Sequence, residues 1–381
     1  MELLNATKMK AGYTMGLKPD GRELLVVVVK GTFNLPKPGQ EPELAAQQVD
    51  LVMADQFTGE PGLSAPRYES DFAPVKPRCD VLLNGSAYAP GGNPVKRLKV
   101  GLRVGGLQKT FTVVGNRFWR NWLGFIWRTA PEPFVKMPIS YDHAFGGVDR
   151  SNEKRERFFV ANPAGRGYHY HLGKKVVHGK PLPNTEQTGR TVRWPRSKRH
   201  RPMAFGPVGR GWPPRPKFAG TYDQNWIDNV FPFLPADFDE RYYQSAPADQ
   251  QIDYLRGGEE VSLLNLTREG RTSFCLPKVQ VPITFYPKNS DAKEINPGCD
   301  TLIIEPDQNR FIMVWRSALP LKKNMFEIGK VIAGRMPRAF YRARELGKTW
   351  YPSLKELVDE RRAEGAEGDE AAEEEVEELS E

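Results

Sequence analysis

A chain of 381 residues with 39% hydrophobic residues has enough apolar content for one large core or two ordinary ones. Its 35 glycines and 33 prolines exclude a bundle of long helices, because so many breakers cut the chain into short segments joined by turns. The net charge of +8 hides an asymmetry: residues 363–381 hold ten carboxylates and no base, which leaves +18 on the first 362 residues. A basic body of this kind points to an anionic partner, a protein or a nucleic acid.

The N-terminus, Met1-Glu2-Leu3-Leu4-Asn5, lacks a basic start followed by an apolar stretch, so no secretory signal is expected. Glu23 to Phe33, with its consecutive valines, predicts a buried strand and contains the longest apolar run, Leu24 to Val29. That run is far short of the roughly 20 residues a membrane span needs, so no membrane partner is expected. Pro36, Pro38, Gly39 and Pro42 mark a loop. Asp80 to Leu83 predicts a short strand ending in the turn Asn84-Gly85.

The clearest two-residue alternation is Leu98, Val100, Leu102 and Val104, running into Gly105-Gly106. Phe111 and Val113 continue it, and Gly115-Asn116 precedes Phe118-Trp119, which together predict a three-stranded antiparallel meander. A glycine- and proline-rich stretch from about Asn162 to Asp249 follows. Alternation resumes at Val279, Val281, Ile283 and Phe285. Leu302-Ile303-Ile304 and Phe311 to Trp315 flank the turn Asp307-Gln308-Asn309. Met325, Ile328 and Ile332 are spaced for one helical face, Ala339 to Leu346 for a second helix, and Ser353 with Glu356 has the spacing of a capping box. The acidic residues beyond Ala363 cannot bury anything and are expected to be disordered.

The expected fold is therefore mainly β: an antiparallel sandwich or barrel-like set of sheets with long ordered loops and a short helical C-terminal extension. Residues 1–320 form the strand-rich domain, which its two alternating regions divide into β subdomains around an irregular middle, about 141–250. Residues 321–362 are the helical extension and 363–381 the acidic tail. Three widely separated cysteines (Cys79, Cys275, Cys299) give neither a disulfide framework nor zinc spacing, and fit the cytoplasm.

Catalytic and cofactor signals are weak. His169-Tyr170-His171 with His178 could form part of a metal site, but no carboxylate or thiol stands beside them at helpful spacing. Asp142-His143 could be half of a proton-transfer pair, yet the chain has no nucleophile elbow to complete it and no phosphate loop or dinucleotide fingerprint. No enzyme activity, metal or cofactor is expected. Surface chemistry is richer. Arg190, Arg193, Arg196, Lys198, Arg199 and Arg201 are interleaved with Trp194 and His200, a pattern that can meet an acidic protein or nucleic acid. Trp212, Arg215, Tyr222, Asp223, Trp226, Phe231 and Phe233 crowd a proline-rich stretch whose large side chains must bury against a scaffold or a partner.

Several segments, in order, carry a resemblance: Val27-Val28-Val29-Lys30-Gly31-Thr32-Phe33, Asp80-Val81-Leu82, Tyr141-Asp142-His143-Ala144-Phe145-Gly146-Gly147 and Asn162-Pro163-Ala164-Gly165-Arg166-Gly167-Tyr168. Leu182-Pro183-Asn184, Ala219-Gly220-Thr221-Tyr222-Asp223 with Trp226, Leu234-Pro235 with Asp237-Phe238-Asp239, and Ala246-Pro247 with Asp249-Gln250 complete it. From Thr14 to Trp315 the chain resembles the bacterial family called domain of unknown function 2169. The resemblance implies a type VI secretion accessory protein, a chaperone or adaptor that binds a PAAR-containing effector and helps load it onto the spike protein VgrG. It transfers no catalytic residue. The residues expected to meet the effector are Tyr141, His143, Phe145, Arg193, Trp194, Arg196, Arg199, Trp212, Arg215, Tyr222, Asp223, Trp226, Phe231 and Phe233. Two other readings are nucleic-acid binding through the basic body, and a hydrolase-type enzyme in which Asp142, His143 and Asp223 converge.

Overall fold

The computed structural model describes residues 1–152, 154–348, 350, 358 and 362. The chain is mainly β, as expected, and divides into two compact units, Met1–Gly334 and Arg335–Glu381. In the first unit the central sheet has six strands, in the order Gln251–Ile252, Cys79–Leu83, Cys299–Glu305, Arg310–Pro320, Glu23–Asn34 and Lys10–Leu17. All neighbours are antiparallel except Cys79–Leu83 and Cys299–Glu305, which run parallel. A five-stranded antiparallel sheet orders Thr185–Glu186, Leu107–Val114, Arg97–Val104, Glu260–Leu264 and Arg271–Cys275. A four-stranded sheet orders Glu2–Asn5, Ile328–Ala333, Ile283–Pro287 and Lys293–Ile295.

These sheets are open, and their apolar faces share one core. Leu25, Val27 and Val29 of the central sheet join Val100, Leu102 and Phe111 of the five-stranded sheet and Ile283, Phe285 and Val331 of the four-stranded one. The alternate residues Leu24, Val26, Val28, Ile312 and Val314 face the other way and are covered by Val49, Leu51, Tyr68 and Phe72. Burial on both faces explains the unbroken valine run, since a strand with one wet face would alternate.

Two expectations are corrected. The residues Met325, Ile328 and Ile332 do not share a helical face. Met325–Glu327 is a single 3-10 turn and Ile328–Ala333 is a strand, parallel to Glu2–Asn5 on one side and antiparallel to Ile283–Pro287 on the other. Two ready-made strand partners outweigh a local spacing that fits a helix. The meander stops at two strands, because Arg97–Val104 and Leu107–Val114 pair through Gly105-Gly106, but Trp119–Trp122 turns away and pairs with Phe125–Arg128. The second unit contains the expected helix, Arg338–Glu345, in which Phe340 packs edge-on against Trp350. Ser353, Glu356 and the acidic tail lie outside the described residues.

The irregular middle is fixed by buried polar side chains that reach across from it. Gln250 is fully buried, and its amide donates to the carbonyls of Val81 at 2.7 Å and Phe205 at 2.8 Å. Asp80, also fully buried, accepts from Lys76 at 2.7 Å, Gln244 at 2.6 Å and the Ser245 N–H at 2.8 Å. Burial pushes the Asp80 carboxyl up, but the Lys76 ammonium and these donors outweigh burial and hold it below the usual carboxylate range.

Candidate partner-binding surfaces

The residues expected to meet a partner separate by burial. Tyr141 and Trp212 are in the main core, edge-to-face at 5.6 Å. Phe145 is in a satellite core with Trp119, Tyr168, Val177, Leu182 and Val192. Arg215 is buried, ion-paired with Glu69 and donating to the Val208 carbonyl at 2.8 Å. These four hold the scaffold together and present nothing to solvent. His143 is half-buried; burial, reinforced by nearby Arg166, pulls its pKa down.

The motif that opens at Tyr141 is a backbone lock. Asn162 is fully buried and donates to the carbonyls of Tyr141 at 2.8 Å and Phe145 at 3.2 Å. Gly146 (φ +158) must be glycine, because a Cβ there would lie 2.1 Å from the Asn162 carbonyl oxygen. Arg166 donates to the Asp142 carbonyl, and Asn184 to the Val114 carbonyl. The two carboxylates weighed for proton transfer are engaged elsewhere. The Asp142 carboxylate accepts from Thr58 Oγ1 at 2.7 Å and the Ala65 N–H at 2.8 Å, while Asp223 caps a helix by accepting from the Trp226 N–H at 2.9 Å. His178 Nδ1 accepts from the Asn121 N–H at 3.2 Å.

A groove of about 1070 Å³ between Asn34–Glu43 and Thr267–Thr272 contains one tight polar set. Asp307 accepts from Ser86 and Tyr88, each at 2.7 Å, and pairs with Lys136 at 3.0 Å. These groups satisfy one another and leave no free nucleophile among them.

What remains outward is aromatic or basic. Around the helix Gln224–Asn229, Tyr222, Ile227, Phe231 and Phe233 are exposed, from 43% to 66%. They are held on a firm frame. Trp226 is edge-on to Tyr222 at 4.7 Å and to Phe231 at 5.5 Å, its Nε1 donates to the Phe233 carbonyl, and Asp237 accepts from Thr221. The basic segment is outward too, with Arg193, Trp194, Arg196 and Arg199 all exposed. It is anchored where Arg196 stacks on Tyr170 at 3.9 Å and Arg128 donates to the Val192 carbonyl.

A third surface escaped the sequence reading. The hairpin Trp119–Trp122 and Phe125–Arg128 turns at Leu123-Gly124, and Trp122, Leu123, Phe125 and Trp127 are all exposed. The available signal was five large apolar residues, Trp122, Leu123, Phe125, Ile126 and Trp127, around a glycine, in a stretch without a single carboxylate from Arg117 to Arg128.

No curated protein and no solved structure matches the chain. Residues 20–316 do match a family described as an uncharacterized protein conserved in bacteria. That span covers the five-stranded sheet, the central sheet apart from its edge strand Lys10–Leu17 and the end of Arg310–Pro320, and every motif that carried the resemblance, and the chain belongs to the domain of unknown function 2169 family.

Proposed function

We propose that the protein is a cytoplasmic chaperone or adaptor that binds a PAAR-containing type VI effector and stabilises it for loading onto VgrG. The partner class comes from the family resemblance. The observation that supports a binding role is the exposed cluster of Tyr222, Ile227, Phe231 and Phe233, held in place by the Asp223 cap and the Trp226 ring. A fold stabilised only from within gains nothing by displaying four large apolar side chains in one place, whereas interfaces draw their binding energy from such anchors.

The test is co-expression with a PAAR-containing effector encoded beside the gene. Soluble effector and pull-down yield are measured with the wild type and with Tyr222→Ser plus Phe231→Ser. The wild type should keep the effector soluble, and the double variant, folded by circular dichroism, should release it. Failure of the wild type to bind the effector overturns the chaperone role. An equal yield from the variant moves the interface elsewhere.

A further inference from the structure

The hairpin tip is built against its own folding preference. Trp122 and Phe125 are directly paired, so the loop has two residues, and Leu123 (φ 49) and Gly124 (φ 87) both take positive φ. Such a turn favours Asn-Gly, and a leucine held left-handed is strained as well as exposed, here at 76%. Nothing in the fold is gained by it.

The outer face continues the pattern. Residues directly opposed, and those two further along, share a face. Trp122 with Phe125 and Arg120 with Trp127 therefore face out, while Trp119, Asn121 and Ile126 turn toward the satellite core. Two segments of the same lobe adjoin the hairpin: the Trp119 N–H donates to the Lys180 carbonyl, and Arg128 donates to the Val192 carbonyl. These segments, 172–182 and 189–201, carry nine exposed lysines and arginines and no carboxylate. None of the nine has an ion-pair partner among the described residues. The two buried acids beside these segments are committed, Glu186 to Arg117 and Arg97, and Asp149 to the backbone N–H groups of Ser151, Tyr170 and His171.

We infer that this lobe attaches to an anionic lipid surface, the hairpin tip dipping into the headgroup–acyl boundary while the unpaired cations meet the lipid charge. Tryptophan at the interface with leucine and phenylalanine beyond it, ringed by lysine and arginine, is the chemistry such a boundary selects. A single-stranded nucleic acid would use the cations and the indoles, but it cannot stack on Leu123, the most exposed of the apolar side chains at the tip. Attachment of this kind needs no membrane-crossing segment. It is separate from the Tyr222–Phe233 cluster and does not rest on effector binding.

The test uses the full chain with vesicles of phosphatidylcholine, with and without phosphatidylglycerol, read by co-sedimentation and tryptophan emission. The wild type should sediment with the anionic vesicles, lose affinity as salt rises, and shift its emission to the blue. Leu123→Asn relaxes the turn, so it should melt no lower than the wild type yet bind about tenfold or more weakly. Lys174→Glu plus Lys175→Glu should each weaken binding by roughly fivefold per residue or more. The inference is overturned if the wild type ignores anionic vesicles at low salt, or if Leu123→Asn binds them as well as the wild type. It is equally overturned if a labelled single-stranded oligonucleotide binds through the tip and the vesicles do not.

Discussion

Asn162 donates from its side-chain amide to the carbonyl of Tyr141 at 2.8 Å, and this one contact ties two of the chain's motif segments together. The amide also satisfies a second carbonyl, at Phe145, from a fully buried position. Asn162→Ala strips the Phe145 carbonyl of its side-chain donor and leaves the Tyr141 carbonyl with the Ala144 N–H alone, and should cost about 1–3 kcal/mol of stability. Thermal melting checks it, and a loss below about 0.5 kcal/mol would mean the lock is not needed.

Trp212 and Arg215 should behave as scaffold, in contrast to Tyr222 and Phe231. Trp212→Ala empties a core site beside Tyr141 and should cost about 3–5 kcal/mol. Arg215→Ala leaves the buried Glu69 carboxylate with Arg210 alone, at 3.6 Å, and takes the donor from the Val208 carbonyl, a loss of about 2–4 kcal/mol. Serine at Tyr222 or Phe231 should stay within about 0.5 kcal/mol of the wild type. Denaturant titration of the four variants separates the two groups, and a large loss at Phe231 would return that side chain to the core.

Acid should loosen the lobe around the satellite core. Burial lowers the pKa of His143, His169 and His200 below the ordinary 6.5, helped by Arg166, Lys180 and Arg190 respectively. The unfolded chain takes up these protons near 6.5 and the folded chain only at lower pH. Their contribution is therefore present above that value and lost as pH falls through it. Melting temperature should drop between about pH 7.5 and pH 5.5, and less so in His169→Gln. An unchanged melting temperature across that window would show the folded imidazoles protonate freely.

Thiol chemistry should find one cysteine. Cys275 is exposed, whereas Cys79 and Cys299 are buried, and burial together with neighbouring Cys299 pushes the Cys79 thiol up. Iodoacetamide should label Cys275 alone in the folded protein and all three after unfolding. Fast labelling of Cys79 would contradict its burial within the central sheet.

Legibility from sequence followed how local each signal is. The valine run at Val26 to Val29 and the hairpin from Leu98 to Val113 were readable, because burial on two faces and alternation are written into adjacent residues. Glu2–Asn5 and Ile328–Ala333 were not, since the first becomes a strand only by meeting the second across the length of the chain, and the second is held between it and Ile283–Pro287. The surface was half-readable. Composition shows that the middle is rich in aromatics, but not that Trp212 goes inward while Tyr222 and Phe231 stay out. The hairpin at Leu123 was missed because its turn lacks the Asn-Gly signature that marks such loops.

The pairing of Glu23–Asn34 with Arg310–Pro320 has a consequence for synthesis. A ribosome releasing about 5–20 residues per second needs roughly 15–60 s to make the intervening chain. Through that interval the valine-rich strand has only the hairpin partner Lys10–Leu17, and its second edge is open. Nascent chains halted before residue 300 should therefore aggregate or recruit general folding factors. The sheet closes only when the last third of the protein has emerged.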